Sequence, residues 1–333
     1  MRILISRAIS IAAVFVLGVA GIPAAQQDTK ATDVLAGTRK AIGGKKLDTL
    51  TSLSVQAALQ RNVGNFQITS DLELLVDMPD KYVRSETSNS PMVNMASTLG
   101  FNGDRAIKAS GAMATPGGGM MIRMGGPGPG MPALGGPPEK PTPEQQAQLD
   151  KQIVRSARQE IGRLMLGWFA MAHPSLNVQY TYAGEAESPD GKAFILDVKN
   201  SDGFTARLFI DEKTSLPVMV TYQGPQPRTV TVGAPGPRAG GEGSQTQTQS
   251  RQVSADEQKK LAADAQSQLD QIQKQPPAMV EYALFFDDWR DEGGIKFPHV
   301  LRRAAGGTTT EEWAVSKVRV NPKIDPKKFE SEH

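Results

Sequence analysis

"DGFTARLFIDEKTSLPVMVTYQG", residues 202–224, decides the fold. Phe204, Ala206, Leu208 and Ile210 alternate with more polar neighbours. The polar turn Asp211-Glu212-Lys213-Thr214 follows, and then Leu216, Val218, Val220 and Tyr222 alternate again. Successive side chains of a strand point to opposite faces, so a period of two on both sides of a short polar turn predicts an antiparallel hairpin. Nothing in it is chemically equipped for catalysis, so the hairpin reads as wall.

The same pattern extends in both directions. Phe66, Ile68, Ser70, Leu72, Leu74 and Val76 share one parity, and Met78-Pro79-Asp80 turns the chain into "KYVRSET". "GFNGDRAIKA" carries a turn at Asn102-Gly103-Asp104. "NVQYTYAGEA" and "KAFILDVKN" flank Pro189-Asp190-Gly191. "MVEYALFFDDWR" alternates Val280, Tyr282, Leu284 and Phe286. Gly293-Gly294 and Gly306-Gly307 introduce "IKFPHVLRRA" and "TTTEEWAVSKVRV". Strands that follow one another as hairpins, rather than alternating with helices, make an antiparallel sheet. The expected class is α+β, mainly β: a single curved antiparallel sheet of about 11 strands, an incomplete barrel, with covering helices.

Three helices accompany it. Asp33–Ile42 is closed by Gly43-Gly44. Thr142–His173 starts with a Thr142/Gln145 capping box and Pro143, and it places Leu149, Ile153, Ala157, Ile161, Leu164 and Trp168 at helical spacing. Its end, "LMLGWFAMAHP", is apolar on every side, so it is buried or covers an apolar surface. Ser254–Gln275 is polar with a thin apolar stripe and belongs on the surface. Residues 111–141, rich in Gly, Pro and Met, and the loop 224–253 lack any periodicity and are read as low-complexity insertions in one domain, residues 31–330.

The amino terminus has a leader's pattern. Arg2 and Arg7 precede the apolar run Ala8–Ile22, and Pro23-Ala24-Ala25 precedes Gln26. The run is shorter than the ~20 residues that span a bilayer, so residues 1–25 read as a secretory signal peptide cleaved after Ala25. The mature chain is then expected in a bacterial periplasm. The chain has no cysteine, which excludes disulfides, thiol chemistry and a lipid-modified cysteine. A net charge of +2 gives no reason to expect nucleic acid.

The candidates for chemistry are few. His173 and His299 lie beside prolines, without a GxSxG elbow or an HExxH pair. Asp287, Asp288, Asp291 and Glu292 surround Trp289-Arg290. The cluster could serve as acid and base or hold calcium, but a solvated turn with an Arg290 partner explains it more simply. Met113, Met120, Met121, Met124 and Met131 could gather around Cu(I), pad an apolar ligand, or mark compositional drift. No catalytic residue, metal site or cofactor is assigned.

Three stretches resemble the LolA/LolB superfamily of periplasmic lipoprotein carriers: "AIGGKKLDTLTSLSVQAAL", "DGFTARLFIDEKTSLPVMVTY", and "YALFFDDWRDEGGIKFPHVL" followed by "VRVNPKIDPKKFE". Tyr282, Asp287, Gly294, Pro298, Asn321, Ile324, Asp325 and Phe329 carry the pattern most strongly. The resemblance implies an incomplete barrel of antiparallel strands, helices over its open side, no enzymatic activity, and lipid or lipoprotein acyl chains as partners. The expected cavity surface is Leu72, Leu74, Leu164, Trp168, Phe194, Leu196, Leu208, Ile210, Val218, Val220, Leu284 and Phe286. Leu164–Met171 is its expected cover, and a register slip of one residue would turn the opposite face inward. Two alternatives stand beside this one, a bland one and a functional one. Packing by the chain's own helices explains strands that are apolar on both faces. The same fold also suits an envelope sensor or scaffold that binds a membrane-bound partner protein.

Overall fold

The structure, a computed structural model, describes residues 15–18, 24–63, 66–88, 96–110, 142–189, 191–226 and 278–330. The methionine-rich insertion, the helix expected at Ser254–Gln275 and most of the leader lie outside the described residues.

Thirteen strands form one antiparallel sheet. The first group is β1 (Phe15–Gly18), β2 (Ser52–Val63), β3 (Phe66–Asp77), β4 (Lys81–Ser88), β5 (Ala96–Asn102) and β6 (Arg105–Ser110). The second is β7 (Gln179–Ser188), β8 (Gly191–Lys199), β9 (Thr205–Asp211) and β10 (Pro217–Pro225). It continues with β11 (Met279–Glu292), β12 (Ile295–Ala305) and β13 (Thr308–Val320). Two helices, α1 (Ala24–Ile42) and α2 (Pro143–Phe169), complete the frame. Without the four-residue β1, the sheet has twelve strands (13 − 1), close to the expected eleven.

The strand order is β1-β7-β8-β9-β10-β11-β12-β13-β2-β3-β4-β5-β6. Two meanders therefore meet where β13 pairs with β2, and β6 and β1 are the free edges. The sheet curls instead of lying flat. Pairing shifts at Tyr182/Gly184, Pro217/Met219, Arg303/Ala304 and Val315/Lys317 insert extra residues, and such bulges bend a strand and increase its twist.

Helix α2 connects β6, at one edge, to β7, which lies beside the other. The connection has to cross a face of the sheet. It crosses the concave one, touching β4, β5 and β6 as well as β9, β10 and β11. Elements so far apart in strand order reach one helix only because the sheet wraps around it. The start of α2 follows the expected capping box: Gln145 N–H donates to the Thr142 hydroxyl, and the Thr142 N–H donates to Gln145 Oε1 at 2.9 Å. The helix stops at Phe169 and not at His173, because Ala170 adopts a left-handed conformation (φ 51°). At the other end of the chain, α1 begins at Ala24, nine residues before Asp33. "AAQQDTKAT" contains no breaker, so alanine, glutamine and lysine extend the helix.

The core lies between α2, α1 and the concave face. A smaller cluster on the convex side, Leu75, Val83 and Ile107, is capped by Phe329 and Ile324 from the carboxyl-terminal segment. A third cluster joins Ala186, Ile195 and Phe209 on that side. No helix among the described residues is long and apolar enough to cross a membrane.

Candidate functional site: the filled trough

The concave face is an apolar trough with a helix in it. Leu72 and Leu74 of β3, Leu196 of β8, Leu208 and Ile210 of β9, Val220 of β10, and Leu284 and Phe286 of β11 all face the core. From α2, Leu164 and Trp168 meet them, and Phe194 packs at the margin of the same core. Eleven of the twelve expected positions therefore meet in one core, nine from the concave face and two from α2. The twelfth, Val218, lies on the convex side with Met219, Ile195 and Phe209. The bulge between Pro217 and Met219 is the reason: it adds a residue to the strand, and the alternation that links Val218 to Val220 is lost there.

The helix fills the trough closely. Every residue from Leu164 to Ala170 is buried, so the last turns of α2 are enclosed on all sides. Gly167 rests directly on Phe286; a Cβ there would stand 1.9 Å from the ring. Trp168 and Phe169 pack against Phe297 at ring-centroid separations of 5.1 and 5.9 Å. Self-packing thus accounts for the apolar concave face as it stands.

Sequence reasoning missed the centre of the trough, which is charged. Arg61 of β2 bonds Glu86 of β4 at 3.0 Å and Glu311 of β13 at 3.1 Å. Arg84 bonds Glu86 at 2.6 Å and Glu311 at 3.2 Å. Glu160 of α2 reaches down between Arg84 and Arg303, accepting from Arg84 Nη1 and from Arg303 Nη2, the latter at 3.4 Å. Three guanidiniums thus face three carboxylates, and the Trp313 indole N–H donates to Glu311. The side chain of Glu311 is only 4% exposed, and that of Arg84 7%. Burial alone would push the Glu311 carboxyl upward, but Arg303, Arg84 and Arg61 outweigh it and hold the group well below the usual carboxylate range. Arg84, although buried, is kept charged by Glu86, Glu160 and Glu311.

Nearby, Arg163 of α2 lies over the Tyr222 ring at 3.8 Å, and its burial lowers its pKa. No carboxylate among the described residues pairs with it. A signal for the cluster exists in the sequence. Arg84 and Glu86 share parity with the core residue Tyr82, and Glu311 shares parity with Trp313, so charges occupy inward positions.

The other candidates have local duties. His173 is fully buried, edge-on to Phe101, and its Nδ1 accepts from the Ser175 N–H at 3.2 Å. Burial, helped by Arg158, lowers its pKa to about 4. His299 sits between the Glu292 carboxylate and the Val315 carbonyl, at 2.9 and 3.1 Å. In the acidic turn, Asp288 pairs with Arg290 and Asp291 accepts from the Gly294 N–H. No group of three or more His, Asp or Glu with metal-binding geometry occurs among the described residues.

The described residues thus form an open antiparallel sheet with a helix lying in its trough. No family model and no curated protein matches the chain. Solved structures do. A LolA superfamily protein from Nitrosomonas europaea is 8% identical, with a TM-score of 0.44, over 90% of this chain and 97% of that one. A putative outer membrane lipoprotein-sorting protein domain from Vibrio parahaemolyticus is 8% identical at a TM-score of 0.40, over 91% of this chain and 97% of that one. A DUF1329 family protein from Desulfovibrio piger is 12% identical at 0.41, with the same coverage. Two of these structures bear LolA-superfamily or lipoprotein-sorting names, and the likeness is one of fold.

Proposed function

We propose that the protein is a non-enzymatic periplasmic binding protein that carries an acylated ligand, a lipid or the acyl chains of a lipoprotein, in the trough now filled by α2. One observation carries this reading: the sheet does not close, and what lines its concave side is an apolar helix segment buried all round. An acyl chain offers the wall an apolar surface, as the side chains of that segment do. Each methylene buried contributes about 0.8 kcal/mol, so a long chain can compete with α2 for the same wall.

Residues 1–25 act as the secretory leader in this reading. Cleavage after Ala25 removes β1 and shortens α1 by two residues, leaving the wall and α2 intact. The test is native mass spectrometry of residues 26–333 purified from a bacterial periplasm, with extraction of any bound lipid. Discrete added masses that extract as acyl lipids are the expected result. A protein that stays bare when offered lipid or a lipoprotein would mean that the helix fills the trough permanently, and the carrier reading would fall.

A further inference from the structure

The charged centre of the trough constrains the ligand further, if α2 is what the ligand displaces as the carrier reading requires. Glu160, Arg163, Leu164 and Gly167 follow at helical spacing and form one stripe of α2. Along this stripe the Glu160 carboxylate comes first, Arg163 turns onto the Tyr222 ring, and an apolar segment follows to Phe169, about 14 Å in all. The carboxylate bridges Arg84 and Arg303, which stand on strands separated by β13, β2 and β3. The apolar part covers Phe286 and Phe297.

Charge counting shows what leaves with the helix. With α2 in place, Arg61, Arg84 and Arg303 are balanced by Glu86, Glu311 and Glu160. Withdrawal of α2 takes Glu160 away, together with Arg163, whose guanidinium lies over the Tyr222 ring and makes no ion pair with the sheet's carboxylates among the described residues. The sheet then keeps three guanidiniums against two carboxylates, and Arg84 and Arg303 are the groups that have lost a partner. The Nε of Arg303 is already a buried donor without an acceptor among the described residues. An unpaired buried guanidinium is costly, so a neutral amphiphile entering the trough would leave that cost standing.

We infer that the ligand is an anionic amphiphile whose carboxylate or phosphate takes the place of the Glu160 carboxylate between Arg84 and Arg303, while its acyl chain takes the place of Leu164–Phe169. Helix α2 is then an internal imitation of the ligand, head and tail in the same order. Guanidinium forks suit either anion, since both offer paired oxygens.

The test uses protein purified from the periplasm and stripped of lipid, with binding read from tryptophan emission, because Trp168 of α2 and Trp313 of β13 are both buried in the core of the trough. The probes are oleate, oleoyl lysophosphatidic acid and the neutral monoolein. Wild type is expected to bind both anions about tenfold or more tighter than monoolein. Glu160→Gln removes the competing carboxylate and is expected to tighten oleate binding while keeping that preference. Arg84→Met combined with Glu160→Leu leaves Arg61 and Arg303 balanced by Glu86 and Glu311, so the preference is expected to fall to about twofold or less.

Monoolein binding as tightly as oleate to wild type would overturn the inference and leave the carrier reading standing, as would a preference that persists in the double variant. Inorganic phosphate that shifts the emission by itself would mean a bare anion site and overturn the amphiphile. Failure of all three probes would overturn the carrier reading and this inference with it. Glu160→Gln changes no packing volume, so it keeps the question answerable if the double variant does not fold.

Discussion

Asn321 illustrates how single residues hold this sheet together. It sits in the left-handed region (φ 53°) just past β13, where asparagine is tolerated better than most residues. Its Oδ1 accepts from the Thr51 N–H at 2.8 Å and its Nδ2 donates to the Thr49 carbonyl at 2.9 Å, so it clamps the end of β13 to the start of β2. Those are the strands where the two meanders meet. Asn321→Ala is expected to cost about 1–3 kcal/mol, read as a lowered urea midpoint, since it loses the bonds and retains the unfavourable φ. His173 makes a pH prediction. Its pKa is about 4 in the folded protein, against an ordinary value of 6.5. Between those values the unfolded chain binds the proton and the folded protein does not, so stability falls as pH drops from 6.5 towards 4. The size is on the order of 3 kcal/mol. His173→Gln is expected to flatten the urea midpoint over that window; an unchanged slope would mean that the imidazole is not the titrating group.

At the scale of elements, α2 depends on glycine where it touches the wall. Gly167 faces the Phe286 ring, which is held in the core, whereas a Cβ added at Gly162 would stand 2.3 Å from the tip of the Leu176 side chain. A flexible tip can move aside and a core aromatic cannot. Gly167→Ala is therefore expected to cost about 1–3 kcal/mol by overpacking and, in the proposed carrier reading, to raise lipid binding by loosening α2 in the trough. Gly162→Ala is expected to be near neutral, because alanine's better helix propensity offsets the local shift. Equal costs for the two would remove the close packing of α2 on β11 as the cause. The elements themselves were legible in the sequence: period two marked the strands, and Thr142, Pro143 and Gln145 marked the start of α2. The end of α2 was not legible, because Ala170 adopts a left-handed conformation that alanine does not advertise. Neither was the face of Val218, because a bulge is an extra residue in one strand and leaves no trace in composition.

For the whole molecule, the half-barrel was legible and its charged centre was not. Alternation tells which residues share a face, but it does not tell that Arg61, Arg84, Glu86, Glu311 and Arg303, spread over four strands of the sheet, converge when that sheet curls. Convergence is a property of curvature, and curvature comes from bulges and from the helix around which the sheet closes. Glu311 is the centre of this convergence, with Arg61, Arg84 and Arg303 all within 3.9 Å. Replacing one partner of a buried ion cluster strands the others, so Glu311→Gln is expected to cost about 3–5 kcal/mol. The same group gives the molecule a second acid step. The folded-state pKa values of Glu311 and Glu86 lie below their ordinary value of 4.5, so their stabilisation is complete above it and is lost as pH falls below it. That window opens at the lower end of the one belonging to His173. Urea midpoints measured from pH 7 to pH 3 are expected to fall in two stages, with Glu311→Gln diminishing only the lower one. A variant that kept the wild-type loss below pH 4.5 would show that the carboxylates of the trough do not hold the two meanders together.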